Sequence, residues 1–418
     1  MWKALDIEEW QERRRSDLAG VGAAVAAIVE GVRKDGDEAL YRFTKEFDRI
    51  VLEDLAVTPE EFEGAYEEVE DSLIESLAEA EAHIRRFHEL QRNRSLWLEE
   101  VEPGVIVGVK TTPLDRIGAY VPGGRAAYPS TALMTTVPAQ VAGVPEICVC
   151  TPPPVHPLTL VALDIAGVDE CYRVGGAQAI AAMALGTESI DPVQKIVGPG
   201  NVYVTAAKMM LREHAEIDFP AGPSEIGILA DSTADPAFVA ADVLAQAEHD
   251  PHAGCVLITT DAALPAKVGA EIKRQMKNAP RRSIIEAALG NSGYVVAADL
   301  DEAIAAMDYV APEHLSIQVA DPLSTLNAVH NAGSIFVGPY TAVAFGDYAS
   351  GTNHVLPTAG FARVFSGLDV HHFCKTSSVQ MIDREGLEWL GGVVETLATA
   401  EGLHAHAESV RIRRRKKD

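Results

Sequence analysis

The chain of 418 residues is long enough for two or three domains with full hydrophobic cores, and its 47% hydrophobic and 23% charged residues exclude disorder, collagen and coiled coil. Its 35 basic residues against 61 acidic ones give a net charge of -26, so there is no basic footprint for nucleic acid, and any anionic ligand must be held by local backbone dipoles. The cysteines Cys148, Cys150, Cys171, Cys255 and Cys374 are scattered and form no Cys-x-x-Cys pair, which excludes a disulfide framework and a thiolate zinc knot and points to reduced thiols in the cytoplasm.

Residues 1–17 mix Asp, Glu and Arg with apolar positions and hold no apolar core of signal-peptide length, so secretion is not expected. Val21, Ala24, Val25 and Ile28 recur at helical spacing, and acidic helical stretches continue to about Asn93, which predicts a helical leader. From Val105 the texture changes. Short β-branched runs at 105–109, 147–150, 256–260, 295–297 and 334–337 alternate with Ala-rich helical segments, the pattern of an α/β fold with largely parallel sheets. The uncharged span 126–145 could cross a bilayer by length, but Pro129, Pro138, Pro145 and Gln140 make it buried core and loop instead. The basic tail 411–417 reads as a solvated end.

Neither a Walker A sequence nor a G-x-G-x-x-G fingerprint is present. Three Gly-rich turns cluster between Tyr120 and Asn201: Val121-Pro122-Gly123-Gly124, Val174-Gly175-Gly176-Ala177-Gln178 and Val197-Gly198-Pro199-Gly200-Asn201. The second runs from strand through a glycine pair into a helix start, which would offer free N–H groups and a positive dipole end to a phosphate. Each turn is equally compatible with a plain tight turn, and both readings stay open.

Asp235-Pro236 has the pattern of an N-cap with proline in the first helical position, so a helix is expected from there to about His249. Gln246 and His249 would then share one face, as ligands of a single ion or as polar surface. Glu313-His314 follows Ala311-Pro312, where the proline sets a turn; the two could act as water activator and general base, or stand as a solvated pair at a helix start. The Gly-rich loop 345–354 carries Asp347 and His354, a hard and a borderline donor that together suit zinc or manganese. The last helical stretch, 385–408, carries Glu401 and His406, which on an unbroken helix point about 140° apart. Gly402 permits a break there.

Taken together, these residues resemble the histidinol dehydrogenase family. The stretches that carry the resemblance are 117–124, 174–181, 195–205, 218–225, 246–250, 311–315 and 346–357, seven separated motifs in one order. The resemblance implies two Rossmann-like sheet domains with a helical N-terminal leader and a C-terminal arm, divided at 1–119, 120–224, 225–368 and 369–418. It implies a zinc-dependent, NAD-linked oxidation of L-histidinol through the aldehyde to L-histidine, by a homodimer whose C-terminal segment completes the partner's pocket. By motif match Gln246, His249, Asp347 and His406 would hold zinc, Tyr120, Gln178 and Asn201 the nicotinamide cofactor, and Glu313 and His314 the chemistry. Gln246, His249, His314, Asp347 and His406 would also touch the substrate along with Ser224 and Glu401, and Ser130 and His354 are weaker candidates. Lys375-Thr376 departs from the family's usual Lys-Arg, and Glu225-Ile226-Gly227 varies mildly beside Ser224.

The chemistry of these residue types agrees with the implied roles. Zinc has no redox activity, and the ion would be a template that orients the substrate's imidazole and amine rather than a Lewis acid at the reacting alcohol. His314 has the ordinary imidazole pKa of about 6.5 suited to moving a proton near neutrality. Two rivals stay in view: a dehydrogenase on the same scaffold for another polar alcohol, and a zinc hydrolase with Glu313 acting on metal-bound water. The second leaves the Gly-rich cluster without a purpose.

Overall fold

A computed structural model describes residues 2–14, 18–123 and 127–415. Gly124 and Ala126, and the tail residues Lys416 and Lys417, lie outside the described residues. The chain forms two compact units, one of residues 1–91 with 115–373 and one of residues 92–114 with 374–418.

In chain order the strands begin with β1 (Lys3–Ala4), β2 (Leu96–Glu102) and β3 (Val105–Pro113). Next come β4 (Arg116–Tyr120), β5 (Glu146–Cys150), β6 (Glu170–Tyr172), β7 (Lys195–Val197) and β8 (Glu216–Ile217). Then follow β9 (Glu225–Ala230), β10 (Gly254–Thr259), β11 (Gly293–Val296), β12 (His314–Gln318), β13 (Ser334–Val337) and β14 (Cys374–Ile382).

The first unit contains two parallel sheets. In the five-stranded sheet, ordered β6-β5-β4-β7-β8, the chain winds outward from β4 through β5 and β6 and then crosses back to β7 and β8. The winding therefore reverses between β4 and β7, where parallel α/β sheets open a crevice at their carboxyl ends. Cys148, Val149 and Cys150 are buried on both faces, as a parallel strand covered by helices on each side requires. The six-stranded sheet, ordered β1-β11-β10-β9-β12-β13, repeats the scheme with its reversal between β9 and β12.

The expected helical leader is not a separate appendage. Helix Leu18–Phe43 packs on helices Gly176–Leu185 and Val202–Met210, and its Val25, Val29 and Val32 join the core of the five-stranded sheet. The last leader helix is Asp71–Glu89, a few residues short of the expected end. The span 126–145 contains helix Pro129–Ala142, buried along nearly its whole length. Among the described residues no helix is long and apolar enough to cross a membrane.

The second unit holds the three-stranded antiparallel sheet β14-β3-β2. The β-branched run 105–109 therefore departs from the expected parallel setting, because it makes a tight hairpin with β2 at Gly104 (φ 74°) and pairs along its length with β14. Beyond β14 lie helices Arg384–Ala400 and His404–Arg415. The break between them falls at Gly402, whose φ of 77° no β-branched side chain tolerates.

Helix Pro236–Ala247 begins as expected, with Asp235 accepting from the Ala237 amide and Pro236 in the first turn. It lays Asp242 against β12, where the carboxylate accepts from Gln318 Nε2 at 3.0 Å and Ser316 Oγ at 3.5 Å. Burial pushes the Asp242 carboxyl up to about 6 against the pull of those two donors. A carboxyl whose folded pKa lies above its unfolded one stabilises the fold at low pH, and that contribution is lost as pH rises through the folded value. Relative to an Asp242→Asn variant, the wild-type protein should therefore lose up to about 3 kcal/mol between pH 4 and 7, at about 1.4 kcal/mol per pKa unit. Urea unfolding of both proteins across that range checks this, and parallel stability curves would contradict it.

Candidate active site

The carboxyl ends of β4 and β7 carry one group of the expected residues. Tyr120 closes β4 and is buried, and its hydroxyl accepts from the Gly176 amide at 3.0 Å. Burial holds the phenol up at about 12, so it stays protonated. Gln178 lies buried in the first turn of helix Gly176–Leu185. Asn201 caps helix Val202–Met210, its Oδ1 accepting from the amides of Tyr203 and Val204 at 3.0 and 3.2 Å.

The Gly-rich turns serve packing as well as any ligand. A Cβ on Gly175 would stand 3.1 Å from Pro152 Cα, and one on Gly198 would stand 2.2 Å from the Tyr120 carbonyl oxygen. The Gly176 amide, expected to be free for a phosphate, is instead committed to Tyr120.

A second group gathers at the opposite, amino-terminal ends of β9 and β12. Glu313-His314 does not open a helix. Helix Leu300–Val310 ends at Ala311 in the left-handed region, and His314 is the first residue of β12, with both side chains almost fully buried. Glu313 is clamped to β9 from two directions. Its Oε2 accepts from the Glu225 amide at 2.9 Å, and its own amide donates to Glu225 Oε1 at 3.2 Å. His314 Nδ1 lies 3.2 Å from the Glu225 carbonyl oxygen and Nε2 lies 3.6 Å from Asp347 Oδ1.

These contacts set the charges. Burial pushes Glu313 up to about 7, with His314 pulling the other way. Burial alone would lower His314, but the carboxylates of Glu313 and Asp347 outweigh it and carry the imidazole to about 9 rather than the ordinary value expected from sequence. Burial would raise Asp347, yet the nearby His314 imidazole holds it below the carboxylate range, and it remains ionised. His249 and His354 are held neutral by burial, each opposed by the charge of Asp347. A cation shared with Asp347 would compete for that carboxylate and weaken its hold on the His314 proton.

The remaining candidates divide into those brought together and those that are not. Gln246 is in helix Pro236–Ala247, but His249 lies just beyond the helix end in a turn closed by its amide on the Gln246 carbonyl at 3.3 Å, so the two do not share a helical face. Asp347 is in the short helix Val343–Tyr348 rather than in a loop. Ser224 immediately precedes β9, and its carbonyl accepts from the Gly254 amide. Ser130 is partly buried in the first turn of helix Pro129–Ala142. Both ring nitrogens of His354 face protein atoms: Nδ1 the Asp347 carbonyl oxygen at 2.9 Å and Nε2 the Thr131 hydroxyl at 3.3 Å. It steadies the Asp347 segment, and Thr131 is a partner that sequence reasoning missed. Glu401 and His406 belong to the second unit, exposed on either side of the Gly402 break.

Among the described residues no three His, Cys, Asp or Glu side chains converge closely enough to hold a metal ion by themselves. The expected donors nevertheless suit zinc by type: a neutral imidazole from His249 near the ionised Asp347 carboxylate, and the amide of Gln246 one turn before His249. Gln246 is buried with its Nε2 lacking any hydrogen-bond partner, and an amide turned over at that place would present its oxygen instead.

Sequence also gave no signal for Arg14, which follows helix Ile7–Arg13. Its guanidinium pairs with Glu225 Oε1, behind the Glu313 clamp, and stacks over Trp10 at 4.1 Å. Burial lowers Arg14 and raises Glu225, and each is opposed by the charge of the other.

Two doubly wound parallel sheets, one with Gly-rich turns at its carboxyl ends and the other with the buried Glu313-His314 pair at its amino ends, define an enzyme-like protein of the α/β class. The family described as histidinol dehydrogenase matches residues 11–414. A histidinol dehydrogenase of Methanosarcina mazei is 52% identical, over 98% of this chain and 97% of its own. One of Methanothermobacter thermautotrophicus is 50% identical, over 98% and 97%. The crystal structure of histidinol dehydrogenase from Elizabethkingia anophelis superposes with a TM-score of 0.93 at 38% identity, covering 98% of this chain and 96% of that one. The chain belongs to the histidinol dehydrogenase family and is an oxidoreductase.

Removing one member of a buried ion pair strands the other. Arg14→Met should cost about 3–5 kcal/mol, and the double variant Arg14→Met/Glu225→Gln should recover most of it. Denaturant unfolding checks both, and a single-variant loss under about 1 kcal/mol would contradict the pairing.

Proposed function

We propose that this chain oxidises L-histidinol through L-histidinaldehyde to L-histidine in histidine biosynthesis, with NAD as hydride acceptor and zinc bound. The observation that carries this reading is the buried Glu313-His314 pair, clamped to Glu225 and set against Asp347, in a chain of this family. Tyr120, Gln178 and Asn201 would hold NAD at the winding reversal of the five-stranded sheet. Gln246, His249, Asp347 and His406 would hold zinc and share the substrate's imidazole and amine with Ser224 and Glu401.

When bound, NAD takes up the hydride, and zinc supplies a template that orients the substrate's nitrogen atoms. The chain's own side chains handle protons and water. His314 accepts the alcohol proton as hydride leaves carbon, which yields the aldehyde and one NADH. Glu313 takes a proton from a water molecule that adds to the aldehyde carbon. The His314 imidazolium returns its proton to the aldehyde oxygen as that water adds; neutral again, His314 accepts a proton from the hydrate as a second hydride leaves, and the acid so formed releases its own proton to give the carboxylate beside a second NADH. Overall one alcohol, two NAD and one water give one carboxylate, two NADH and three protons. Burial of Glu313 and His314 supports retention of the reactive aldehyde between the steps.

A homodimer with Glu401 and His406 acting in the partner's pocket is supported by the second unit's exposed apolar residues, among them Trp97, Leu98, Met381, Ile382, Trp389 and Leu397. A cytoplasmic enzyme without membrane or nucleic-acid partners is supported by the acidic charge and the scattered thiols.

The test is the yield of reduced cofactor from limiting L-histidinol with excess NAD, before and after chelation. Two equivalents of NADH per histidinol, abolished by the chelator and restored by zinc, are expected. No NADH from folded, zinc-loaded protein would contradict the assignment and favour another polar alcohol as substrate.

A further inference from the structure

Behind the turn that ends in Asn201 lies a buried ion pair with no place in the reaction described above. Lys208, from helix Val202–Met210, and Asp218, which follows β8, are both almost fully enclosed. Lys208 Nζ donates to Asp218 Oδ1 at 2.5 Å and to the Gly198 carbonyl oxygen at 2.9 Å. Asp218 Oδ2 accepts from the Gly198 amide at 2.9 Å, and Oδ1 also accepts from the Phe219 amide at 2.8 Å. One ion pair thus grips the amide and the carbonyl of the same residue, whose φ of 107° only glycine adopts readily. The gripped glycine is pressed against the backbone of Tyr120, and three residues later Asn201 starts the helix that carries Lys208.

We propose that Lys208 and Asp218 are positioning residues for NAD, which fix the Gly198 peptide groups so that the turn and Asn201 stand in binding geometry before the cofactor arrives. The inference rests on the cofactor placement proposed above. Neither charge reaches the cofactor, because both are spent on each other and on the backbone of the turn. If the pair served only to fill the interior, a well-packed neutral pair would serve as well. A grip on Gly198 from both sides is what a neutral pair does not reproduce. Met at 208 leaves the Gly198 carbonyl without its donor. Asn at 218 has one acceptor where the turn supplies two N–H groups, from Gly198 and Phe219.

Lys208→Met alone strands Asp218 and is expected to lower the melting temperature, so the deciding protein is the double variant Lys208→Met/Asp218→Asn, which buries no lone charge. Titration of the zinc-loaded enzyme with NADH, followed by fluorescence, gives the cofactor affinity directly. The double variant should bind NADH about tenfold or more weakly, as lost preorganisation predicts. The KM for NAD should rise with it, while the KM for histidinol and the zinc content stay close to wild type; the melting temperature should fall less than in Lys208→Met alone, because backbone groups of the turn are left unpaired but no lone charge is. Wild-type NADH affinity in the double variant would overturn the positioning role. Asn201→Ala, titrated in parallel, separates the two layers of the argument. If it weakens NADH and the double variant does not, only the positioning role falls; if neither weakens NADH, the cofactor placement falls and takes this inference with it.

Discussion

A charge buried at the end of a sheet must find its partner inside the protein, and the arrangement of this molecule follows from that requirement. Glu225, Glu313 and His314 are nearly out of water, and Asp347 is largely so. In such a medium an unpaired charge costs more than most single interactions return. The pairing therefore runs as a chain: Arg14 on Glu225, Glu225 on both ends of Glu313, and His314 between Glu313 and Asp347. The same requirement explains why the N-terminal helix Ile7–Arg13 is part of the site's support although it lies far from the site in sequence.

The two sheets share a winding order but gather the candidate residues at opposite ends. The cofactor-type turn follows the usual rule for open parallel sheets, at the carboxyl ends beside the reversal between β4 and β7. The buried Glu313-His314 pair departs from that rule, standing at the amino ends of β9 and β12. The departure is consistent with the connection geometry. A helix that crosses between parallel strands runs back toward their amino ends, so the end of Pro236–Ala247 delivers Gln246 and the following turn His249 to the level of Glu313 and His314. The Thr131–His354 and Asn353–Met134 hydrogen bonds then tie helix Pro129–Ala142, beside the five-stranded sheet, to the Asp347 segment.

Much of this was legible in the sequence, and the rest was not for identifiable reasons. The runs at 147–150 and 256–260 are apolar because both faces are covered, the edge run 334–337 is only partly buried, and all three form strands within a residue or two of where pattern places them. β12 was hidden because it opens with His314 and carries Ser316 and Gln318, polar side chains buried only because Asp242 meets them from another element. Asp347 looked like loop because glycine and serine crowd around a helix of six residues. The motif residues of the two clusters were readable individually. Arg14, Thr131 and Lys208 were not, and the 218–225 stretch gave Asp218 no partner, since nothing local marks a polar residue whose partner is brought to it only by the fold.

The central claim is that Glu313 and His314 divide the work, His314 moving protons in both oxidations and Glu313 serving the hydration between them. The most direct measurement follows each half-reaction of a Glu313→Gln variant separately, with L-histidinol and with L-histidinaldehyde as starting substrate. The account predicts that aldehyde oxidation falls by about 10²-fold or more, the scale of losing a general base, while the first hydride transfer stays within a few-fold of wild type. Equal loss in both halves, or full activity on the aldehyde, would contradict that division.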